Sequence, residues 1–230
     1  MAALAAAVVA AGERTGGLVD GTLAPEIVAA GYRAAPALPL PLALALRLGP
    51  RRAPARPSPD AGWRRIATGG RTVRRPPGVA IDGGGLAKGL FADLLAAKLA
   101  DREAFVVDCA GDLRLGGGDA RPVRVTSPFG GEILHTFELR AGGVATSGIG
   151  RRSWMGADGR PAHHLLDPAT GRPAFTGVVQ ATALAPTALE AEVLAKAALL
   201  SGPDAADGWL AHGGVVVLDD GTHRVVERSA

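Results

Sequence analysis

From Trp63 onward the chain alternates short β-branched runs with tight glycine turns, a texture that dictates strands and hairpins more firmly than anything else in it. Trp63 to Ala67 and Thr72 to Arg75 read as short strands around a Thr68-Gly69-Gly70 turn. Val79-Ala80-Ile81 reads as a buried strand, and Gly83-Gly84-Gly85 then leads into a helix from about Leu86 to Leu99. Phe105-Val106-Val107 reads as another buried strand, while Val123 to Thr126, Thr136 to Leu139 and Gly143 to Thr146 are strand-like. Val178 to Leu184 reads as a strand running into a helix, Ala188 to Ser201. Val215 to Leu218 and Arg224 to Glu227 suggest a hairpin around Asp220-Gly221. Helices and strands alternate, yet several neighbouring strands are joined by turns too tight for a crossover. The expected class is therefore α+β with a mixed, largely antiparallel sheet and packed helices, not a doubly wound parallel sheet.

The N-terminal part is different. Ala2 to Arg14 is an alanine-rich helix stopped by Thr15-Gly16-Gly17, and a short helix follows over Pro25 to Ala30. Seven prolines, at 36, 39, 41, 50, 54, 57 and 59, then crowd the segment from Ala34 to Asp60. Prolines at that density forbid regular structure through most of it, which predicts a surface loop at about 34–60. Because motifs on both sides of it need each other, residues 1–230 are expected to form one domain.

Composition narrows the function classes. The net charge is +3 and the pI near 9.6, almost all from arginine, since lysine occurs only at Lys88, Lys98 and Lys196. The Arg, Ala, Gly and Pro usage reads as codon bias, and the basic patches lack the interleaved aromatics of a nucleic-acid binder. Nucleic acid is discarded as a partner. The single cysteine, Cys109, excludes an internal disulfide and reads as a small core thiol. No apolar stretch reaches the roughly 20 residues needed to span a bilayer. Met1 to Ala11 is apolar but has no basic n-region, so an ordinary helix is expected there; a cytoplasmic location is favoured for the chain as given.

Four clusters carry candidate chemistry. In Ile81-Asp82-Gly83-Gly84-Gly85-Leu86-Ala87-Lys88-Gly89, glycines open a helix start where backbone N–H groups and the helix dipole can meet an anion. Lys88 adds a point charge suited to phosphate, although a tight turn with an exposed lysine explains the spacing as well. Ala110-Gly111-Asp112 lays backbone open after a strand, as a plain hairpin turn also would. Thr146-Ser147-Gly148 places two hydroxyls before a glycine at a strand end, able to bond phosphate or to cap itself. His163-His164-Leu165-Leu166-Asp167-Pro168-Ala169-Thr170-Gly171 puts two imidazoles and a carboxylate within a few residues. That pattern suits a base near neutral pH, or a structural His–Asp pair.

In this order the clusters resemble the ApbE family of FAD:protein FMN transferases. Asp82 to Gly89 is similar to its D-x-G-G-[IL]-A-K-G signature, Gly111-Asp112 to its G-G-[ND] turn and Thr146-Ser147-Gly148 to its T-S-G element. His163 to Gly171 resembles the H-H-[IL]-[IL]-D-P-x-T-G signature, the most specific part, and Thr15 to Asp20 resembles an upstream T-G-G-x-x-D segment. The resemblance implies an ApbE-like (T-fold-like) fold and transfer of FMN from FAD to a Thr or Ser hydroxyl of an acceptor protein, with release of AMP. It implies Lys88, His163, His164 and Asp167 as catalytic, His164 or Asp167 taking the acceptor proton. It implies a flavin pocket lined by Asp20, Gly84, Gly85, Lys88, Gly111, Asp112, Thr146, Ser147 and Gly148, with Tyr32 and Trp154 as ring-stacking candidates. Rival readings are FAD hydrolysis to FMN and AMP, or a truncated flavin-binding domain without catalysis.

Two departures stand out. Family members carry a longer N-terminal portion, whose absence is expected to expose a sheet edge and thin the flavin pocket. They also hold Mg²⁺ through a final-helix A-D-x-x-x-T. Here Ala87 and Glu192 remain as metal-ligand candidates, but Lys196 stands at the threonine position. An ammonium has no lone pair to give a metal. Lys196 is expected either to place its charge where the metal sat or to form a simple i,i+4 pair with Glu192.

Overall fold

Helix α1, Ala2–Arg14, buries Ala5, Ala7, Val8 and Ala11 and presents Gly12 flat against the indole of Trp63, where a Cβ would sit 2.3 Å from the ring. The computed structural model describes residues 1–32, 34 and 38–228. After α2, Ala24–Ala29, comes α3, Leu42–Leu48, which corrects the expectation of an irregular segment at 34–60. Pro41 takes the N-cap of α3 and Pro50 follows its end, so leucine and alanine have seven proline-free residues in which to form two turns. The rest of the segment is tied to the core. Arg52 reaches Asp219 at 2.7 Å and the Leu46 carbonyl at 2.9 Å, and the N–H groups of Ala53 and Ala55 donate to Phe175 and Leu200. Pro36, the first of the seven prolines, lies outside the described residues.

The remaining elements are β1 Ala67–Gly69, β2 Thr72–Arg74, α4 Gly83–Ala97, β3 Ala104–Cys109, β4 Asp112–Gly117, β5 Arg121–Thr126 and β6 Ile133–Leu139. They continue with β7 Gly142–Gly148, β8 Ser153–Met155, β9 Pro161–His163, β10 Leu166–Asp167, β11 Arg172–Pro173, β12 Val178–Ala185, α5 Ala188–Ser201, β13 Gly214–Leu218 and β14 His223–Val226. One antiparallel sheet, ordered β14-β13-β12-β7-β4-β3, is the frame, and four two-stranded hairpins surround it. The class is the expected α+β.

Three local expectations are corrected. Residues 62–65 form a 3₁₀ turn, not a strand, with Trp63 buried in the core. Val79 to Ile81 contributes a single parallel bridge, Ala80 to Leu23, instead of a sheet strand. β3 is an edge strand rather than a buried one: Val106 is 48% exposed and Cys109 is half-buried.

Helix α5 occupies the centre. Ten of its residues are buried, including Leu199 and Leu200, each contributing about 2 kcal/mol by removal from water. Gly143 of β7 permits the contact: a Cβ there would lie 2.2 Å from the Thr187 carbonyl carbon. Helix α4 crosses the start of α5 at Gly89, where a Cβ would meet the Ala188 oxygen at 2.6 Å. Asp93 of α4 locks the crossing by accepting the first N–H groups of α5, Ala188 and Leu189, both at 2.9 Å. On the opposite sheet face Val144 packs with Leu115 and Val123, and Leu139 covers them from the β5–β6 hairpin.

Candidate active site

The loop from Asp20 to Leu23 is fastened to the start of α4. The Asp82 N–H donates to the Gly21 carbonyl at 2.8 Å, and the Asp82 side chain caps α4 by accepting from Gly84 N–H at 2.8 Å. Above this helix start lies a cavity of about 280 Å³ lined by Asp20, Tyr32, Asp82, Gly84, Gly85, Arg152, His164 and Lys196, with an apolar floor of leucines and valines. Glycine at 84 leaves room beside the cap: a Cβ there would stand 3.2 Å from the Asp82 carboxylate and 4.0 Å from the Arg152 guanidinium. Arg152 and Lys196 bring two cationic groups into the cavity, opposite the carboxyl groups of Asp20 and Asp82.

His164 follows β9, whose register with β8 places it beside Arg152. Burial pushes its imidazole down to about 3, the charges of Arg152, Lys196 and Lys88 push the same way, and a hydrogen bond with the Arg152 backbone only partly offsets them. Its Nδ1 is buried without a hydrogen-bond partner among the described residues. His164 is thus a neutral imidazole with an unused nitrogen beside two cations. Asp20 accepts from both the N–H and the hydroxyl of Thr22 through Oδ1; its Oδ2 is buried with no partner among the described residues, and burial raises its carboxyl.

His163 goes the other way, into the core. It is 1% exposed and packs edge-on against Phe175 with centroids 4.8 Å apart. Its Nδ1 accepts the Leu165 N–H at 3.3 Å, and burial depresses its pKa to about 3. Adjacent strand residues point to opposite faces, so only one of the two histidines reaches the cavity.

Lys196 joins the cavity to a second, internal group of charges. Its ammonium lies 2.9 Å from Glu192, whose other oxygen accepts the Gly89 N–H at 2.9 Å. Lys88 lies 3.7 Å from Glu192 and 2.5 Å from Asp112, and both carboxylates are all but inaccessible, at 1% and 2% side-chain exposure. Burial raises the Asp112 carboxyl, with the Glu192 charge adding to it, and Lys88 offsets only part. For Glu192 burial acts upward, but Lys196, Lys88 and the Gly89 N–H outweigh it and its carboxyl is held low.

Several expected site residues fall elsewhere. Lys88, Asp112 and Glu192 stand behind Lys196 and do not line the cavity. Gly111 forms the β3–β4 hairpin turn with Ala110, φ 93° and 55°, its N–H bonded to Asp108; positive φ at both positions makes it a turn of the type that hairpins favour. Thr146 points to the sheet face away from α5 and shares its hydroxyl with Thr182 at 2.8 Å, while Ser147 and Gly148 are outside the cavity lining. Asp167 opens a separate hollow of about 780 Å³. There it accepts from the N–H groups of Arg56 and Ala169 and the Thr170 hydroxyl. Ala87 lies in the second turn of α4 and outside the cavity lining, to which the helix contributes Gly84, Gly85 and Leu86. Trp154 donates to the Ala30 carbonyl at 2.9 Å and braces Tyr32, 5.3 Å between centroids, so Tyr32 alone of the pair faces the cavity.

Arg152 was not legible as a site residue. The only hint is two adjacent arginines, Arg151 and Arg152, with no acidic neighbour before Asp158.

The FAD:protein FMN transferase of Escherichia coli (strain K12) is 31% identical over 150 residues, covering 61% of this chain and 42% of that protein. The enzyme of the same name from Treponema pallidum (strain Nichols) is 32% identical over 141 residues, 54% of this chain and 39% of its own. The chain therefore spans about two fifths of the length of these relatives. Among solved structures, the ApbE protein of Thermotoga maritima superposes with a TM-score of 0.73 at 27% identity, over 99% of this chain and 78% of that one. Vibrio cholerae flavin transferase ApbE gives 0.69 at 21% identity, over 98% and 74%, a likeness of fold. The ApbE family model matches residues 1–218, and the chain belongs to the ApbE family.

Proposed function

We propose that the chain is an FAD:protein FMN transferase, acting as one domain over residues 1–230, with FAD as the FMN donor and a Thr or Ser hydroxyl of an acceptor protein as recipient. The observation that carries this reading is His164: a buried neutral imidazole whose Nδ1 has no partner among the described residues, in one cavity with Arg152 and Lys196 at the start of α4. Such a site pairs a proton acceptor with a receptacle for a diphosphate. The names of the relatives supply the reaction class.

In this reading Arg152 and Lys196 hold the FAD diphosphate beside the start of α4, and Tyr32 and the apolar floor take part of the flavin. The acceptor oxygen attacks the phosphorus on the FMN side. A new O–P bond forms, the bridging P–O bond breaks with its electrons, and AMP leaves. The hydroxyl proton passes to His164. In the free protein burial is the first cause of the depressed imidazole and the neighbouring cations the second; a bound diphosphate neutralises the cations' share and so raises the basicity of His164 in the complex. Positioning and charge stabilisation supply most of the catalysis in phosphoryl chemistry of this kind. Lys88 and Asp112 act behind this layer by fixing Glu192 and hence Lys196; His163 and Phe175 form the packed support of the His164 backbone. Asp167 builds its own turn and anchors the proline-rich arm, a positioning role rather than the catalytic one anticipated for it.

A magnesium ion does not fit the residues present. Both Glu192 oxygens are engaged, one by Lys196 and one by Gly89, and the coordinating position next to it holds an ammonium. No step is routed through a metal. The reading is tested by incubating the protein with FAD and a candidate acceptor and weighing the acceptor. Addition of one FMN by the wild type and none by His164→Ala, with FAD binding retained, is expected; equal transfer by both would reject His164.

A further inference from the structure

Two buried carboxylates, Glu192 and Asp112, face two ammonium groups, Lys88 and Lys196, and each carboxylate is matched. The cluster is neutral, a condition that deep burial of ionised groups demands. Placing a divalent cation in it would leave three cationic partners around two carboxylates and would crowd a metal against an ammonium that offers it no lone pair. Lys196 is also the member that lines the His164 cavity, its side chain 12% exposed, while Lys88 holds Glu192 from behind.

Resting on the transferase reading, we propose that Lys196 is a built-in cation that stands in for a metal at this site, so that the protein binds and uses FAD without a divalent ion. The geometry gives Lys196 both of the properties this requires. Glu192 fixes its ammonium at 2.9 Å and is itself fixed by the backbone of Gly89, so the charge is preorganised. The same ammonium lies in one cavity with Arg152 and His164, where a diphosphate oxygen would meet it. A surface i,i+4 pair would have neither feature, because its carboxylate would be solvated and its ammonium free to swing. Here the carboxylate has 1% exposure.

The test is FAD affinity by calorimetry and FMN transfer by mass spectrometry, each in excess chelator and in millimolar magnesium, for the wild type, Lys196→Met and Lys196→Arg. Circular dichroism first establishes that the variants fold. The wild type is expected to give the same FAD affinity and transfer rate, within about twofold, in both media. Lys196→Met is expected to lose at least about tenfold in FAD affinity in both media. Lys196→Arg, which keeps the charge, is expected to recover most of it. A wild type that needs magnesium for FAD binding or transfer overturns the proposal, as does unchanged FAD affinity in Lys196→Met. Because binding is read separately, magnesium-independent binding that Lys196→Met loses supports the built-in cation even if no acceptor is modified. That combination would instead count against the transferase reading.

Discussion

Acid should weaken this protein through His163, and the size of the effect follows from the ring's surroundings. The imidazole is fully enclosed, packed edge-on against Phe175, and its pKa is depressed from 6.5 to about 3 by burial first and by His164 second. An unfolded chain takes up the proton near the ordinary histidine value, whereas the folded chain refuses it until far lower pH. The unfolded state therefore binds more protons between these two values, and stability falls as pH is lowered through that window. For one such group the loss between about pH 7 and about pH 5 is about 2 kcal/mol, rising to about 4 kcal/mol near pH 3. His163→Asn keeps an acceptor for the Leu165 N–H and removes the titration. Urea unfolding of both proteins across this range isolates the histidine from every other group. The wild type should lose about 2 kcal/mol more than the variant on going from about pH 7 to about pH 5. Parallel stability profiles would refute the reasoning, because they would mean that the ring is equally protonated in both states.

Other consequences are as specific. Gly143→Ala drives a Cβ into the Thr187–Ala188 backbone at the head of α5 and should cost about 3 kcal/mol in chemical denaturation, backbone being unable to yield as a side chain would. Asp167→Ala removes the acceptor of three hydrogen bonds and should cost about 2 kcal/mol; it should also speed proteolysis of the proline-rich arm, while FAD affinity stays within about twofold because the cavity is elsewhere. FAD should bind at least about tenfold more tightly than FMN in calorimetry, since Arg152 and Lys196 face one cavity and a diphosphate engages both; equal affinities would count against the diphosphate site.

What could be read in advance divides along physical lines. The hairpins and the β12–α5 unit announce themselves because glycine turns and apolar runs are local properties, as in Val215 to Leu218 and Asp220-Gly221. Helix α3 is hidden by counting prolines without noting that Pro41 and Pro50 leave a gap of helix-forming leucine and alanine between them. β3 reads as buried from its valines, yet burial depends on sheet order, and this strand lies at the edge. Of the motif at residues 163–171, His164 lines the cavity with Leu165 and Leu166, while His163 and Asp167 lie outside its lining. Alternation along β9 sends His163 inward, and the turn consumes Asp167. Arg152 enters the site only through the tertiary meeting of the β8–β9 hairpin with α4, which no local pattern encodes.

The central claim, that FMN passes from FAD to a protein hydroxyl in the His164 cavity, is tested most directly by counting both products of one reaction. AMP is measured by chromatography and flavinylated acceptor by intact-protein mass spectrometry in the same samples over time, for the wild type and His164→Ala. The account predicts equal amounts of AMP and flavinylated acceptor at every time point. It also predicts neither product in His164→Ala, and no AMP when the acceptor's hydroxyl residue is replaced by alanine. AMP accumulating with FMN free in solution, or flavin bound with no AMP formed, would contradict it.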